Sequence, residues 1–99
     1  MIRGTTPKME FTLPFETDQI AEAYISFYQL DKIILEKTLS ECTLSEKMIT
    51  VQLSQEETLK FTSGCVVEIQ IRVLMTSGDA LASNIIRINT ERILKDGVI

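Results

Sequence analysis

Apolar residues recur at every second position along most of this chain, and that period narrows its fold more than any other feature. Met9, Phe11 and Leu13 alternate with Lys8, Glu10 and Thr12, and Pro14 closes the run. Ala21, Ala23, Ile25 and Phe27 alternate with Glu22, Tyr24, Ser26 and Tyr28. Ile33 and Leu35 follow the turn-like Leu30-Asp31-Lys32, which predicts a hairpin. Ile49, Val51 and Leu53 alternate with Thr50 and Gln52, and Val67, Ile69, Ile71 and Val73 with Glu68, Gln70 and Arg72. Ser77-Gly78 then predicts a tight turn, since glycine reaches positive φ at no steric cost, and Ala80, Ala82, Ile86 and Ile88 continue the pattern on a return strand. A period of two is the mark of strands with one face buried. Composition agrees: 13 Ile, 5 Val and 11 Thr supply the branched side chains that pack well on a pleated sheet.

Two segments carry a helical signal. Ile20, Tyr24, Phe27 and Tyr28 share a helical stripe with Asp18 as N-cap, but the crowding of Tyr, Ile, Ser and Phe and the hairpin partner that follows favour a strand. Ser54 and Glu57 form a capping box, in which each side chain satisfies an orphan backbone donor of a first turn. One helical turn is predicted there, docked through Leu59 and Phe61 and closed by Ser63-Gly64. About six or seven short strands joined by such a turn near residues 54–61 predict an all-β, antiparallel, immunoglobulin-like sandwich. A parallel sheet would need a long crossover helix, and no segment supplies one. The expectation is a single domain over residues 1–99, with its core at about 8–93, a short arm at 1–7 and an apolar tail at 93–99.

What the chain lacks bounds its chemistry. It has no histidine, which excludes Ser-His-Asp or Cys-His nucleophile systems and His-ligated zinc. Glu56 and Glu57 are adjacent, diverge by about 100° on a helical turn, and read as solvated charge. Asp79 sits in a hairpin tip, where a carboxylate commonly bonds nearby amides. No D-x-D-x-D-G calcium loop or phosphate-cradling glycine loop is present, and Ser83 has neither base nor nucleophile elbow. No catalytic residue, cofactor or metal is expected. Cys42 and Cys65 read as reduced core residues. Net charge is −4, and Arg72, Arg87 and Arg92 are isolated, so no nucleic-acid partner is expected. No run approaches the roughly 18 apolar residues that cross a bilayer, and the first residues lack a signal peptide's apolar core. A soluble chain made in the cytoplasm, with no membrane partner, is the expectation.

The outward phase of the strands says more. Tyr24 and Tyr28 share one face on either side of Ser26, and Leu74 and Ile85 also fall on the nominal outer face. Apolar groups there mark either a contact surface or positions hidden by loops or a bulge. The tail Ile93-Leu94-Lys95-Asp96-Gly97-Val98-Ile99 is as open: Val98 and Ile99 either belong to a strand added to the chain's own sheet or dock on a neighbouring chain.

The run Leu53-Ser54-Gln55-Glu56-Glu57-Thr58-Leu59-Lys60-Phe61, the strand Val67-Glu68-Ile69-Gln70-Ile71-Arg72 and the hairpin Gly78-Asp79-Ala80-Leu81-Ala82-Ser83 together resemble small proteins of unknown function encoded in prophages of Gram-positive bacteria. Those carry an L-[ST]-x-E-E-T-x-x-F stretch, an I-Q-[IL]-R strand and a D-G-x-A-x-S hairpin. Arg3-Gly4-Thr5-Thr6-Pro7 and the Gln29-x-x-Lys32 hairpin fit the same pattern, so the resemblance spans roughly residues 3–94. The layout is also similar to the N-terminal sandwich of phage upper-baseplate proteins. One departure is the order Ser77-Gly78-Asp79 in place of Asp-Gly, which leaves the turn type open. The resemblance transfers no catalytic residue. It implies a virion structural or assembly protein of tail, baseplate or neck, made in a bacterial host and binding other phage structural proteins or itself. Recognition of a host-surface carbohydrate is the alternative, for which Tyr24, Tyr28 and Phe15 are the aromatic candidates; a small hydrolase using carboxylates ranks third.

Overall fold

In a computed structural model covering residues 1–99, the chain forms two antiparallel sheets, one of three strands and one of five. The strands are β1 (Lys8–Thr12), β2 (Ile20–Gln29), β3 (Lys32–Thr38), β4 (Thr43–Ser45), β5 (Met48–Gln52), β6 (Val66–Met75), β7 (Ala80–Ala82) and β8 (Ile86–Asn89). One helical turn, α1 (Gln55–Thr58), bridges β5 and β6. The smaller sheet runs β1-β5-β4; the larger runs β3-β2-β6, with β7 and β8 both on the far edge of β6. Since β7 and β8 follow one another along that edge, they act as one interrupted strand. The result is an all-β sandwich with seven strand positions. Relative to the order of constant immunoglobulin domains, β2 has moved into the larger sheet, between β3 and β6.

The core takes one phase of each long strand. Ala23, Ile25 and Phe27 of β2 and Val67, Ile69, Ile71 and Val73 of β6 are buried, as are Ile49 and Val51 of β5 and the adjoining Leu53. Phe27 meets Phe61 edge to face, with centroids 6.2 Å apart and an interplanar angle of 66°. The capping box forms as expected: Ser54 Oγ accepts from the Glu57 amide at 3.1 Å, and Glu57 Oε1 accepts from the Ser54 amide at 2.8 Å. Phe61 is buried and Leu59 is half-buried. Leu59 lies 3.4 Å from where a Cβ on Gly4 would stand, and Gly4 has φ +78°, so this position favours glycine twice over. The exposed surface, 6206 Å², exceeds the roughly 5,700 Å² expected for this mass because the body measures 46 × 27 × 16 Å.

Irregularities shift the phase in three places, and each corrects the simple alternation. A register shift between Ile20 and Glu22 buries Ile20 and exposes Ala21. A bulge opposite Phe27/Tyr28 pairs Phe27 with Leu35 but Tyr28 with Ile33, so Ile33 emerges beside Tyr28, 55% exposed, instead of sharing Leu35's face. On the return strand Leu81, not Ala80 or Ala82, takes the phase of its buried partner Val73, although at this edge it stays exposed. The ladder then breaks at Ser83, whose backbone amide donates to the Ile71 carbonyl at 2.8 Å while its Oγ accepts from the Ile71 amide at 3.0 Å. Beyond the break Ile86 and Ile88 pair with Ile69 and Val67. At the Ser77-Gly78 turn, Ser77 Oγ donates to Asp79 Oδ2 at 3.1 Å, so Asp79 works within the turn.

The ends of the chain are fastened to this body. Arg3 Nε and Nη2 donate to the Phe61 and Leu59 carbonyls at 2.6 and 3.0 Å, capping the exit of α1, and the Met1 ammonium donates to the Asn89 carbonyl at 2.8 Å. Residues 93–99 add no strand to either sheet. The Gln55 side chain holds the tail instead: its Oε1 accepts from the Ile99 amide at 2.8 Å and its Nε2 donates to the Ile99 carbonyl at 3.2 Å. Val98 and Ile99 remain exposed. No helix is long and apolar enough to cross a membrane.

Candidate functional site on the outer face of the larger sheet

The antiparallel pairing of β2 with β3 and β6 aligns the outward phase into rows. Thr38, Tyr24 and Arg72 form one row; Glu36, Ser26 and Gln70 the next; Ile33, Tyr28 and Glu68 the third. Ile85, on the irregular link between β7 and β8, borders the same surface. Together these side chains, apart from Thr38, line an open trough of about 710 Å³. It exists because residues 24–28 alternate strictly, so that burying Ile25 and Phe27 forces Tyr24, Ser26 and Tyr28 to the other side.

Of the residues singled out from sequence, Tyr24, Tyr28 and Ile85 come together here, at 40%, 36% and 44% exposure. Leu74 lies on the same face one row beyond Tyr24, level with Glu22, outside the trough. Val98 and Ile99 do not join it; both are exposed, and only the Ile99 backbone is held, by the Gln55 side chain of α1. Six lining residues escaped the sequence reading: Ser26, Ile33, Glu36, Glu68, Gln70 and Arg72. The signal for Glu68, Gln70 and Arg72 was present, since they are the polar phase of the most regular strand. Ile33 was hidden by the bulge.

Polar groups in the trough are only partly occupied. Ser26 Oγ donates to Glu36 Oε2 at 3.4 Å, and Gln70 Nε2 donates to the Ser83 carbonyl at 3.0 Å. Arg87 pairs with Glu68 at 3.3 Å. The Arg72 guanidinium and both tyrosine hydroxyls have no partner within the chain, so the surface offers aromatic faces, free donors and free acceptors.

Elsewhere, charge is used structurally. Lys37, on the inward phase of β3 opposite Ile25, is buried and reaches Glu57 at 2.6 Å and Glu41 at 3.6 Å. Glu57 is therefore not the solvated charge that its sequence context suggests. Burial alone would lower Lys37, but the hydrogen bond and charge of Glu57 and the charge of Glu41 outweigh it and hold the ammonium above its ordinary pKa. Burial likewise pushes Glu57 up, and the bonds from Lys37 and the Ser54 amide more than reverse this, leaving the carboxyl below its ordinary value. Hydrogen bonds from the Thr38 amide and hydroxyl lower Glu41. Burial and the nearby Glu41 raise the Cys42 thiol, and both cysteines are free. A smaller concavity, about 290 Å³, opens where Leu13, Pro14 and Phe15 approach Ile71, Val73 and Leu81.

Fold and trough define a two-sheet sandwich with an open, tyrosine-lined trough on one outer face. Compared with family models, with curated proteins and with solved structures, the chain matches none.

Proposed function

We propose that the chain is a non-enzymatic structural or assembly module of a phage or prophage particle, in tail, baseplate or neck, acting by protein–protein contact. It would be made in the cytoplasm of the bacterial host and built into the virion, with other phage structural proteins or further copies of itself as partners. The observation that carries this is the gathering of Leu74, Tyr24, Tyr28, Ile33 and Ile85, all exposed, on a sheet face that a monomeric sandwich covers with polar residues. Tyrosine suits such a role, giving contact area from a rigid ring and a hydroxyl that tolerates water. The resemblance to prophage-encoded proteins supports the same setting. Light scattering after gel filtration, alone and with the structural proteins encoded beside it, tests the assembly part; a complex lost in Tyr24→Ser/Tyr28→Ser is expected. A strict monomer at high concentration, with particle assembly unchanged by the double substitution, counts against it.

A second function, recognition of a host-surface carbohydrate, is favoured by one specific observation: the two tyrosines flank a hydroxyl, a carboxylate and an amide. Specific retention on host cell wall, or on a glycan array, tests it.

A further inference from the structure

The middle of the trough lacks the apolar centre usual in a protein interface, in contrast to the exposed apolar groups of its border, on which the protein contact proposed above rests. Protein interfaces bury an apolar centre inside a polar rim, with the energetically dominant side chains in the middle. Here the middle row is Glu36-Ser26-Gln70, and the border around it sets Tyr24 beside Arg72 and Tyr28 between Ile33 and Glu68, with Ile85 at the edge. A protein laid across would strip water from a carboxylate, a hydroxyl and an amide and would have to replace each bond.

We infer that the trough binds a neutral oligosaccharide, a ligand with apolar C–H faces and hydroxyl edges; this rests on the second function proposed above. Tyr24 and Tyr28 lie four positions apart on one side of β2, about 13 Å at the usual strand rise, which is longer than one sugar ring. The ligand therefore runs along β2 and stacks on both rings. Between them the free groups match hydroxyl edges. Gln70 keeps its carbonyl oxygen because Nε2 is committed to Ser83, Arg72 has no ion pair, and Glu36 receives only the Ser26 hydroxyl. Charge selects against polyanions. Arg87 already neutralises Glu68, which leaves one carboxylate and one guanidinium in the trough of a chain whose net charge is −4.

The test uses the intact chain on an array of neutral hexose and N-acetylhexosamine oligosaccharides of increasing length, with polyphosphate as the polyanion control. The strongest array ligand is then titrated into isotopically labelled protein. Saturable amide shifts at residues 24–28, 36, 68–72 and 85 are expected, with affinity rising until the ligand covers both tyrosines. Tyr24→Ala and Tyr28→Ala should each weaken binding about tenfold, Tyr24→Phe should keep it within about twofold, and Leu94→Ser, at a tail residue 87% exposed, should leave it unchanged. Both tyrosines are exposed, and spectral dispersion of each variant verifies its fold. No saturable ligand on the array, binding undiminished in Tyr24→Ala/Tyr28→Ala, or displacement by polyphosphate overturns the inference. Particle assembly separates the two functions. If the double substitution abolishes assembly and wild-type protein binds no sugar, the inference fails while the protein-contact function stands. If wild-type protein binds sugar at these residues and assembly is untouched, the opposite holds.

Discussion

Phe27 and Tyr28 are neighbours in the chain and opposites in environment. Phe27 is fully buried against Phe61, whereas Tyr28, on the next residue of the same strand, keeps 36% of its surface in solvent. The contrast runs along residues 23–28 of β2: Ala23, Ile25 and Phe27 hold the fold, and Tyr24, Ser26 and Tyr28 line the trough. Stability and the proposed contact thus fall on opposite phases of one strand, and substitutions should separate them. Phe27→Ala is expected to lose about 3–5 kcal/mol, a large part of the roughly 5–15 kcal/mol typical of a small domain. Tyr28→Ala should change stability by about 1 kcal/mol or less. Urea denaturation midpoints measure both, and similar losses for the two would mean that the outer face supports the fold instead of standing free.

The inner phase is not purely apolar, and its exceptions give the next tests. Lys37 occupies an inward position of β3 and survives burial through Glu57 and Glu41. Glu57→Gln removes the closer charge and should cost about 2 kcal/mol. The pH dependence follows from the directions of the shifts. Glu57 lies below its ordinary 4.5 in the folded chain, so its contribution is full above that value and is lost as pH falls through the lowered one. Lys37 lies above its ordinary 10.5, so its contribution is full below that value and is lost as pH rises through the raised one. For this pair, stability should be flat between those limits, and the acid-side loss should be smaller in Glu57→Gln than in the wild type when midpoints are followed against pH.

Gln29 is the other exception. Its side chain is buried, donates to the Thr62 and Cys65 carbonyls and to Thr90 Oγ1, and accepts from the Thr62 amide at 2.7 Å. It ties the β2–β3 hairpin to the loop entering β6. Gln29→Leu keeps the volume but leaves those groups unbonded, and should cost about 1–2 kcal/mol by the same denaturation measurement. A neutral result would mean that water takes over the network.

These residues also mark where the sequence is legible and where it is not. The strands with unbroken alternation, above all β6 with Val67, Ile69, Ile71 and Val73, could be placed with the correct face inward, and the Ser54/Glu57 box located α1. Tyr24, Tyr28 and Ile85 are legible as outward and apolar, so the hydrophobic border of the trough is readable except at Ile33. Its polar centre was not, because Ser26, Glu36 and Gln70 look like any solvated side chains until β3 and β6 are set beside β2. A bulge adds a residue without changing the local composition, so nothing in Ile33-Ile34-Leu35 tells which of the three turns outward. Gln29 and Lys37 carry polar side chains at inward positions, and only long-range partners explain their burial. Strand β4 escaped because Thr43-Leu44-Ser45 is too short to show a period and none of its residues is buried.

The smallest effect concerns the turn that sets which phase emerges. Leu30 and Asp31 both have positive φ, 52° and 63°, as a two-residue hairpin of the type I′ class requires. Aspartate tolerates that conformation, but leucine has no polar group to compensate its steric cost. The Leu30 side chain is 59% exposed, so little packing offsets the strain. Leu30→Asn should therefore stabilise the chain by about 0.5–1 kcal/mol, read as a raised denaturation midpoint. The same variant sharpens the contrast between the two faces. If the turn fixes the register, the bulge opposite Phe27/Tyr28 persists, Ile33 stays beside Tyr28, and amide shifts along the trough hardly move. A lowered midpoint would instead assign Leu30 a packing role, and moved trough resonances would show that residue 30 itself biases the register of the β2–β3 pair.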